Sequence, residues 1–384
     1  MSTLIRLGKG ILVFAATLFT GDTQSDEAAK RPARPEVEVV FCLDTTGSMG
    51  GLIDAAKKKI WSISNQIAGG TPTPRLKVGL VAYRDRGDVY ITKVTDLTDD
   101  LDAIHSQLMS FRAEGGGDTP ESVNQALHEA VTKISWSKDK KTLKIIFLVG
   151  DAPPHMDYAD DVKYPETCKL AVKNDIIINT VQCGNDPATR DVWQTICRSA
   201  EGSYVQIDAR GGPVVVVTTP FDADLAKING ELSTTTLCFG DEKSQRRAEA
   251  QKAANLALPA PVQADRAAFY ANSMRGASYD LLECVKNKKV KLEDLKKDQL
   301  PPELRRLSLK EQRAYLDKLD QRRTELNRQA RELDKKRAAF VAKKQAEDGK
   351  VRARDSFDNQ VLVILQRQAG RVNIRYQASD ANKK

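Results

Sequence analysis

The apolar run Val39-Val40-Phe41-Cys42-Leu43 passes directly into Asp44-Thr45-Thr46-Gly47-Ser48, and this junction constrains the fold more than any other stretch. A short, continuous apolar segment containing β-branched residues reads as a strand buried on both faces of a parallel sheet. Asp44 then stands at the strand's C-terminal end, the rim where open α/β sheets bind ligands. A turn carrying one carboxylate and two hydroxyls at alternate positions offers three hard oxygens to one point, a donor set suited to Mg²⁺ or Mn²⁺. Two later stretches converge on the same rim. Ile145-Ile146-Phe147-Leu148-Val149-Gly150 reads as a second buried strand, followed by Asp151 as the first is followed by Asp44. Gly115-Gly116-Gly117-Asp118-Thr119-Pro120-Glu121 reads as a loop opening a helix, with Thr119 as N-cap, Pro120 at the first helical position and Glu121 in the first turn.

Together these residues resemble the von Willebrand factor A domain with its metal-ion-dependent adhesion site, whose pattern is D-x-S/T-x-S, then a loop Thr, then an Asp. Asp44, Thr46, Ser48, Thr119 and Asp151 match its positions, with Thr46 standing where many members have Ser. The substitution keeps the ligand oxygen and adds a methyl. The resemblance covers about residues 37–208. It implies a Rossmann-like α/β fold and an ion, Mg²⁺ or Mn²⁺, held by Ser48, Thr46 and Thr119 with waters, Asp44 and Asp151 acting directly or through those waters. It further implies one open position for a carboxylate from a partner protein, and binding rather than catalysis, so no enzyme is expected. The turn at 44–49 is also similar to the A domain of alpha-kinase proteins, but residues 209–384 hold no glycine-rich phosphate loop or kinase signature. An accessory subunit of an enzyme system, chelatase- or alpha-kinase-associated, is the alternative, beside a structural component of the cell envelope.

Around the motif the chain alternates strand and helix, as a parallel sheet with covering helices requires. Helices are expected at 52–67, 98–111, 119–135, 163–174 and 188–200. Strands are expected at 76–83, 89–94 (antiparallel), 176–182 and 204–207. Arg86-Gly87-Asp88 reads as a tight turn in which Gly87 supplies a positive φ. His155, four residues after Asp151, could act as a base beside a metal-bound water, but contact with a partner is the expectation preferred here.

The formal net charge of +8 is unevenly placed: residues 286–354 hold 23 Lys/Arg against 12 Asp/Glu, so the basicity belongs to the C-terminal part. Residues 1–21, with Arg6 and Lys9 ahead of an apolar run at 11–19, read as an export signal or an uncleaved anchor, and 22–36 as a linker. Export makes the chain periplasmic, secreted or membrane-anchored. Residues 209–300 read as a helical region and 301–355 as a long basic amphipathic helix with coiled-coil spacing, opened by the capping box of Ser308 and Glu311. Leu319, Leu326, Leu333 and Phe340 repeat every seven residues, while the companion positions Leu316, Arg323, Ala330 and Arg337 are half apolar. Such a stripe suits packing within the chain better than autonomous dimerisation. Interleaved acids and few aromatics argue against nucleic acid and leave anionic envelope surfaces as the contact for the basic helix. Residues 356–384 read as a helix and a strand, or two strands. The six cysteines are expected mostly unpaired: Cys183 ends a strand, and Cys197 lies about 15 Å along the returning helix.

Overall fold

The computed structural model describes residues 34–117, 119–209, 218–273, 276–347 and 357–376. The apolar run at 11–19, most of the linker and residues 214–217, four valines that the sequence suggests as one more edge strand, lie outside the described residues. From the N-terminal side, strand β1 (Glu36–Asp44) leads through a 3-10 turn (Gly47–Met49) into helix α1 (Gly50–Ala68), then β2 (Arg75–Tyr83), β3 (Thr92–Thr98) and α2 (Leu101–Ser110). Next come α3 (Val123–Thr132), β4 (Leu143–Gly150), α4 (Tyr164–Lys173), β5 (Ile176–Cys183), α5 (Pro187–Ser199) and β6 (Tyr204–Ile207). The six strands form one sheet in the order β3-β2-β1-β4-β5-β6. Every pairing is parallel except that of β2 with the edge strand β3.

Strand β1 is central, and its apolar run is continuous because both faces are covered. Val37, Val39, Phe41 and Leu43 point into one core with α1 and α2, whereas Val40 and Cys42 point into the other with residues of α3, α4 and α5. The edge strand starts later than the expected 89–94. Pairing begins where Thr92 meets Tyr83, the Arg84 amide donates to the Ile91 carbonyl across the preceding connection, and Val89 is 87% exposed.

The start of α3 also differs from expectation. Thr119 does not cap a helix and Pro120 does not open one. Instead, the Glu121 amide donates to the Pro153 carbonyl (3.0 Å) and the His155 amide to the Glu121 carbonyl (3.1 Å), so this segment runs as a short extended bridge. Ser122 takes the N-cap position, and the helix begins at Val123. A tertiary pairing has outcompeted a local Thr-Pro-Glu helix signal.

Beyond the sheet, α6 (Asp222–Thr234), α7 (Glu242–Leu256), α8 (Ala260–Ser273) and the short α9 (Leu281–Lys286) precede α10 (Leu309–Glu347). The expected capping box opens α10: the Ser308 amide donates to Glu311 Oε2 (2.8 Å) and the Glu311 amide to Ser308 Oγ (3.4 Å). This long helix packs on α6 and α8 of its own chain. Its buried seam includes the companion stripe that looked weak in sequence. Leu316, Arg323 and Ala330 are buried along with Leu326, whereas Leu319 and Leu333 are only partly covered. The arginines of that seam are paired. Arg323 donates to Asp280, to Thr235 Oγ1 and to the Thr235 carbonyl, while Arg337 bridges Asp222 and Asp265.

The last described element, α11 (Phe357–Ala369), returns to the sheet. Phe357, Val361, Leu362, Ile364 and Leu365 join the core of Phe41, Phe147 and Val181 against α1. Gln368 on α11 and Asn179 on β5 exchange amide hydrogen bonds at 2.8 and 3.1 Å inside that layer. The expected strand after α11 is a 3-10 turn (Gly370–Val372) and a single bridge from Arg375 to Thr71. One helix of the C-terminal segment therefore covers the sheet beside α1, so the core extends past residue 208. Among the described residues no helix is long and apolar enough to cross a membrane.

Candidate metal centre

Asp44 ends β1 with no exposed surface. One of its oxygens, Oδ1, accepts from the Thr46 amide (2.9 Å) and from Thr46 Oγ1 (2.6 Å). Thr46 Oγ1 lies 3.3 Å from Ser48 Oγ, so the alternate positions of the turn do place their oxygens together. The other carboxylate oxygen, Oδ2, is buried and has no hydrogen-bond partner among the described residues. It faces β4: a β-carbon on Gly150 would come within 3.1 Å of it. Because β1 and β4 run parallel with Leu43 opposite Val149, Asp151 emerges beside Asp44 from the neighbouring strand end. Thr45 anchors the turn, its Oγ1 donating to the Tyr83 carbonyl (2.8 Å) and lying 2.7 Å from the Tyr90 hydroxyl.

The glycine-rich loop closes the side of this turn. The Gly47 amide donates to the Gly115 carbonyl (3.1 Å), and the Glu114 amide to the Thr45 carbonyl (3.2 Å). Gly116 has φ +76°, and a β-carbon there would lie 2.9 Å from Thr46 Cβ and 3.2 Å from Glu121 Oε1. Glycine is required at this position on both counts. Thr119, the loop residue singled out from the sequence, has an exposed side chain. Glu121, read from the sequence only as a helix-start acid, is 3% exposed, and its Oε2 is buried without a partner among the described residues. Its place could have been noticed by asking why an acid should follow three glycines and a proline on a loop bound for a carboxylate-lined rim.

Burial and mutual repulsion dominate the electrostatics. Burial raises the Asp44 carboxyl to about 7 despite the two Thr46 hydrogen bonds that favour its charge, and the Asp151 carboxylate adds to the rise. Burial also raises Glu121 to about 9, reinforced by the charges of Asp44, Asp85, Asp88 and Asp151. Such a cluster of buried acids with orphaned oxygens is costly unless a cation compensates it. The donor set is carboxylates and hydroxyls, without nitrogen or sulfur, which fits a hard divalent ion.

The flank of the rim is built from Arg86-Gly87-Asp88 and the 153–161 loop. Gly87 does adopt a positive φ, +92°. Arg86 pairs with Asp160 and Asp161 at 2.9 Å and lies over the Tyr158 ring, 3.9 Å from its centroid. Asp88 Oδ2 accepts from the Asp85 and Gly116 amides. The tripeptide is thus engaged within its own domain. His155 stacks on Tyr158 (4.0 Å) with Nδ1 2.8 Å from Asp157 Oδ1 and Nε2 3.4 Å from Asp85 Oδ2. Those contacts make it a clasp between the two loops. All six cysteines are free thiols and buried.

Residues 38–219 match the model of the von Willebrand factor A domain family. This part of the chain is a von Willebrand factor A domain. Among curated proteins, human von Willebrand factor A domain-containing protein 7 is 35% identical over 122 residues, 31% of this chain and 12% of that protein. An ariadne-like RING finger protein of Acanthamoeba polyphaga mimivirus is 25% identical over 156 residues, 41% of this chain. The chain thus spans only 15% and 12% of the lengths of these relatives. Among solved structures, the SpRpn10 A domain aligns at 19% identity and TM-score 0.35, covering 46% of this chain and 89% of that one. BatB from Bacteroides thetaiotaomicron aligns at 16% identity and TM-score 0.34, covering 45% and 90%. Von Willebrand A domains are in general protein-interaction or adhesion modules.

Proposed function

We propose that this chain is an exported, non-enzymatic protein-binding module whose A domain captures an acidic side chain of a partner through Mg²⁺ or Mn²⁺. The observation that carries the reading is Asp44: a fully buried carboxylate with one oxygen organised by Thr46 and the other left without a partner. Asp44, Thr46 and Ser48 would hold the ion, with Asp151 acting through a bound water, and the 115–121 loop would supply the remaining protein oxygen. When bound, the ion supplies an electrophilic position for an anionic oxygen. Thr46 orients Asp44 by donating to Oδ1, and Thr45 fixes the turn by its bond to the Tyr83 carbonyl. Ser48 is exposed, so the open side of the site lies at the surface, where a partner's carboxylate can reach. Arg86, Tyr158 and His155 hold the neighbouring 84–88 and 153–161 loops together.

Supporting the assignment to binding is the family, whose members are interaction modules, and export rests on the charged start and apolar run at 11–19. A pulldown from envelope extract with Mg²⁺ and with chelator tests the reading. Capture by the wild-type chain should require the ion, fail with Asp44→Ala or Ser48→Ala, and fail when the partner's acid is changed to its amide. Equal capture in excess chelator would overturn it. Cell fractionation tests export, which full-length, unprocessed chain found wholly in the cytosol would refute.

A further inference from the structure

We propose that Glu121, rather than Thr119, is the loop residue that binds the ion directly, giving this A domain a centre with two carboxylates in contact with the metal. The inference rests on the metal-site reading above. Three observations carry it. Glu121 is 3% exposed and Oε2 has no hydrogen-bond partner among the described residues, while Thr119 is exposed and, unlike Ser48 at 3.3 Å from Thr46 Oγ1, makes no hydrogen bond to the turn among the described residues. Second, Glu121 is aimed at the D-x-T-x-S turn. Its Oε1 and Thr46 Cβ crowd the same face of Gly116, where a β-carbon would meet them at 3.2 and 2.9 Å. Third, its backbone is fixed by both of its hydrogen-bonding groups, the amide to Pro153 and the carbonyl to the His155 amide. A buried carboxylate held in place by its own amide and carbonyl, with an orphaned oxygen, on the loop that packs on the Asp44 turn, is a ligand awaiting a cation rather than a surface acid.

The orphaned oxygen of Asp44 is equally buried, and among the described residues neither has a hydrogen-bonding group to satisfy it. A cation between them satisfies both at once. The chemistry also bears on which ion is held. Two contacting carboxylates match the charge of a divalent ion, so attraction for an incoming acid arises from the ion's field at coordination distance rather than from net charge. Carboxylate-rich, adaptable oxygen sets also accommodate Ca²⁺, which takes more ligands than Mg²⁺.

The test is calorimetric titration of Mg²⁺, Mn²⁺ and Ca²⁺ into the full chain, previously stripped with chelator, comparing wild type with Asp44→Ala, Glu121→Gln, Glu121→Asp and Thr119→Val. Thermal unfolding of each metal-free variant monitors the fold. Groups one layer removed from a metal cost about 10–100-fold in affinity when altered, so a direct ligand should cost at least that. We expect Glu121→Gln to weaken binding by more than about tenfold and Thr119→Val to leave it within about threefold. Should Glu121→Gln fail to fold, Glu121→Asp carries the test, because it keeps the charge but draws the carboxylate back and should weaken binding in the same direction. Loss of binding in Asp44→Ala with wild-type affinity in Glu121→Gln, or in Glu121→Asp where that variant stands in, would overturn this inference and leave the metal site standing. Unchanged binding in Asp44→Ala would overturn the metal-site reading and this inference with it.

Discussion

Asp44 and Asp102 are both buried without exposed surface, yet their partners send their ionisation in opposite directions. Burial pushes both carboxyls up, and for Asp102 the Arg266 guanidinium outweighs it, with Nε to Oδ1 at 2.8 Å and Nη2 to Oδ2 at 2.7 Å. Asp102 therefore sits below the usual carboxylate range. Its contribution to stability is present above the unfolded value of about 4 and lost as pH falls through the folded value below it. Removing one member of a buried pair leaves the other charge uncompensated and costs about 3–5 kcal/mol. Asp102→Asn should show that loss at pH 7 in urea unfolding. The gap to wild type should narrow as pH is lowered below about 4, and a gap independent of pH would mean that the pair is not ionised in the fold. Asp44, with one hydroxyl and one amide in place of a paired guanidinium, gains only partial relief from Thr46 and the more remote Arg84 charge, and burial prevails. Its place at the rim was legible in sequence because the apolar run that ends at Asp44 marks the end of a buried parallel strand. Glu121 was not, because its importance depends on a loop path that only the pairing with Pro153 and His155 creates.

At the level of elements, strands β1, β4 and β5 could be read directly, since central parallel strands must be apolar on both faces. The edge strand alternates more weakly and its start was misplaced. Helix α10 shows a different limit: a heptad search discounts arginine, yet Arg323 and Arg337 occupy the buried side because Asp280, Asp222 and Asp265 wait on the facing segments. No local pattern reports a partner more than forty residues away. Arg323→Ala should therefore cost about 3–5 kcal/mol. Arg328→Ala, which removes an exposed pair with Glu325 one turn away, should cost far less, because solvent screens exposed ion pairs. Denaturant unfolding of the two variants compares them on one helix, and similar losses would mean that the long helix is not held through its arginine seam.

Across the whole molecule, the A domain is closed by a helix from beyond the long C-terminal insertion, which composition and periodicity could not reveal because α11 resembles any short amphipathic segment. Leu365 is 2% exposed on its sheet-facing side and Val363 is 54% exposed on the other. Leu365→Ala should destabilise by about 2–5 kcal/mol and Val363→Ala by less than about 0.5 kcal/mol, read from thermal unfolding of the full chain. Equal effects would show that α11 is not part of the core. The Arg266–Asp102 pair and the returning helix tie the C-terminal region to the A domain, while the rim at Asp44, Ser48 and Asp151 is carried on the sheet's C-terminal edge. The claim that this rim is a metal centre is tested most directly by manganese anomalous diffraction from crystals of the full chain grown with Mn²⁺. The account predicts a strong peak bounded by Asp44, Thr46 and Ser48. A map with manganese bound elsewhere and none at that turn would contradict it.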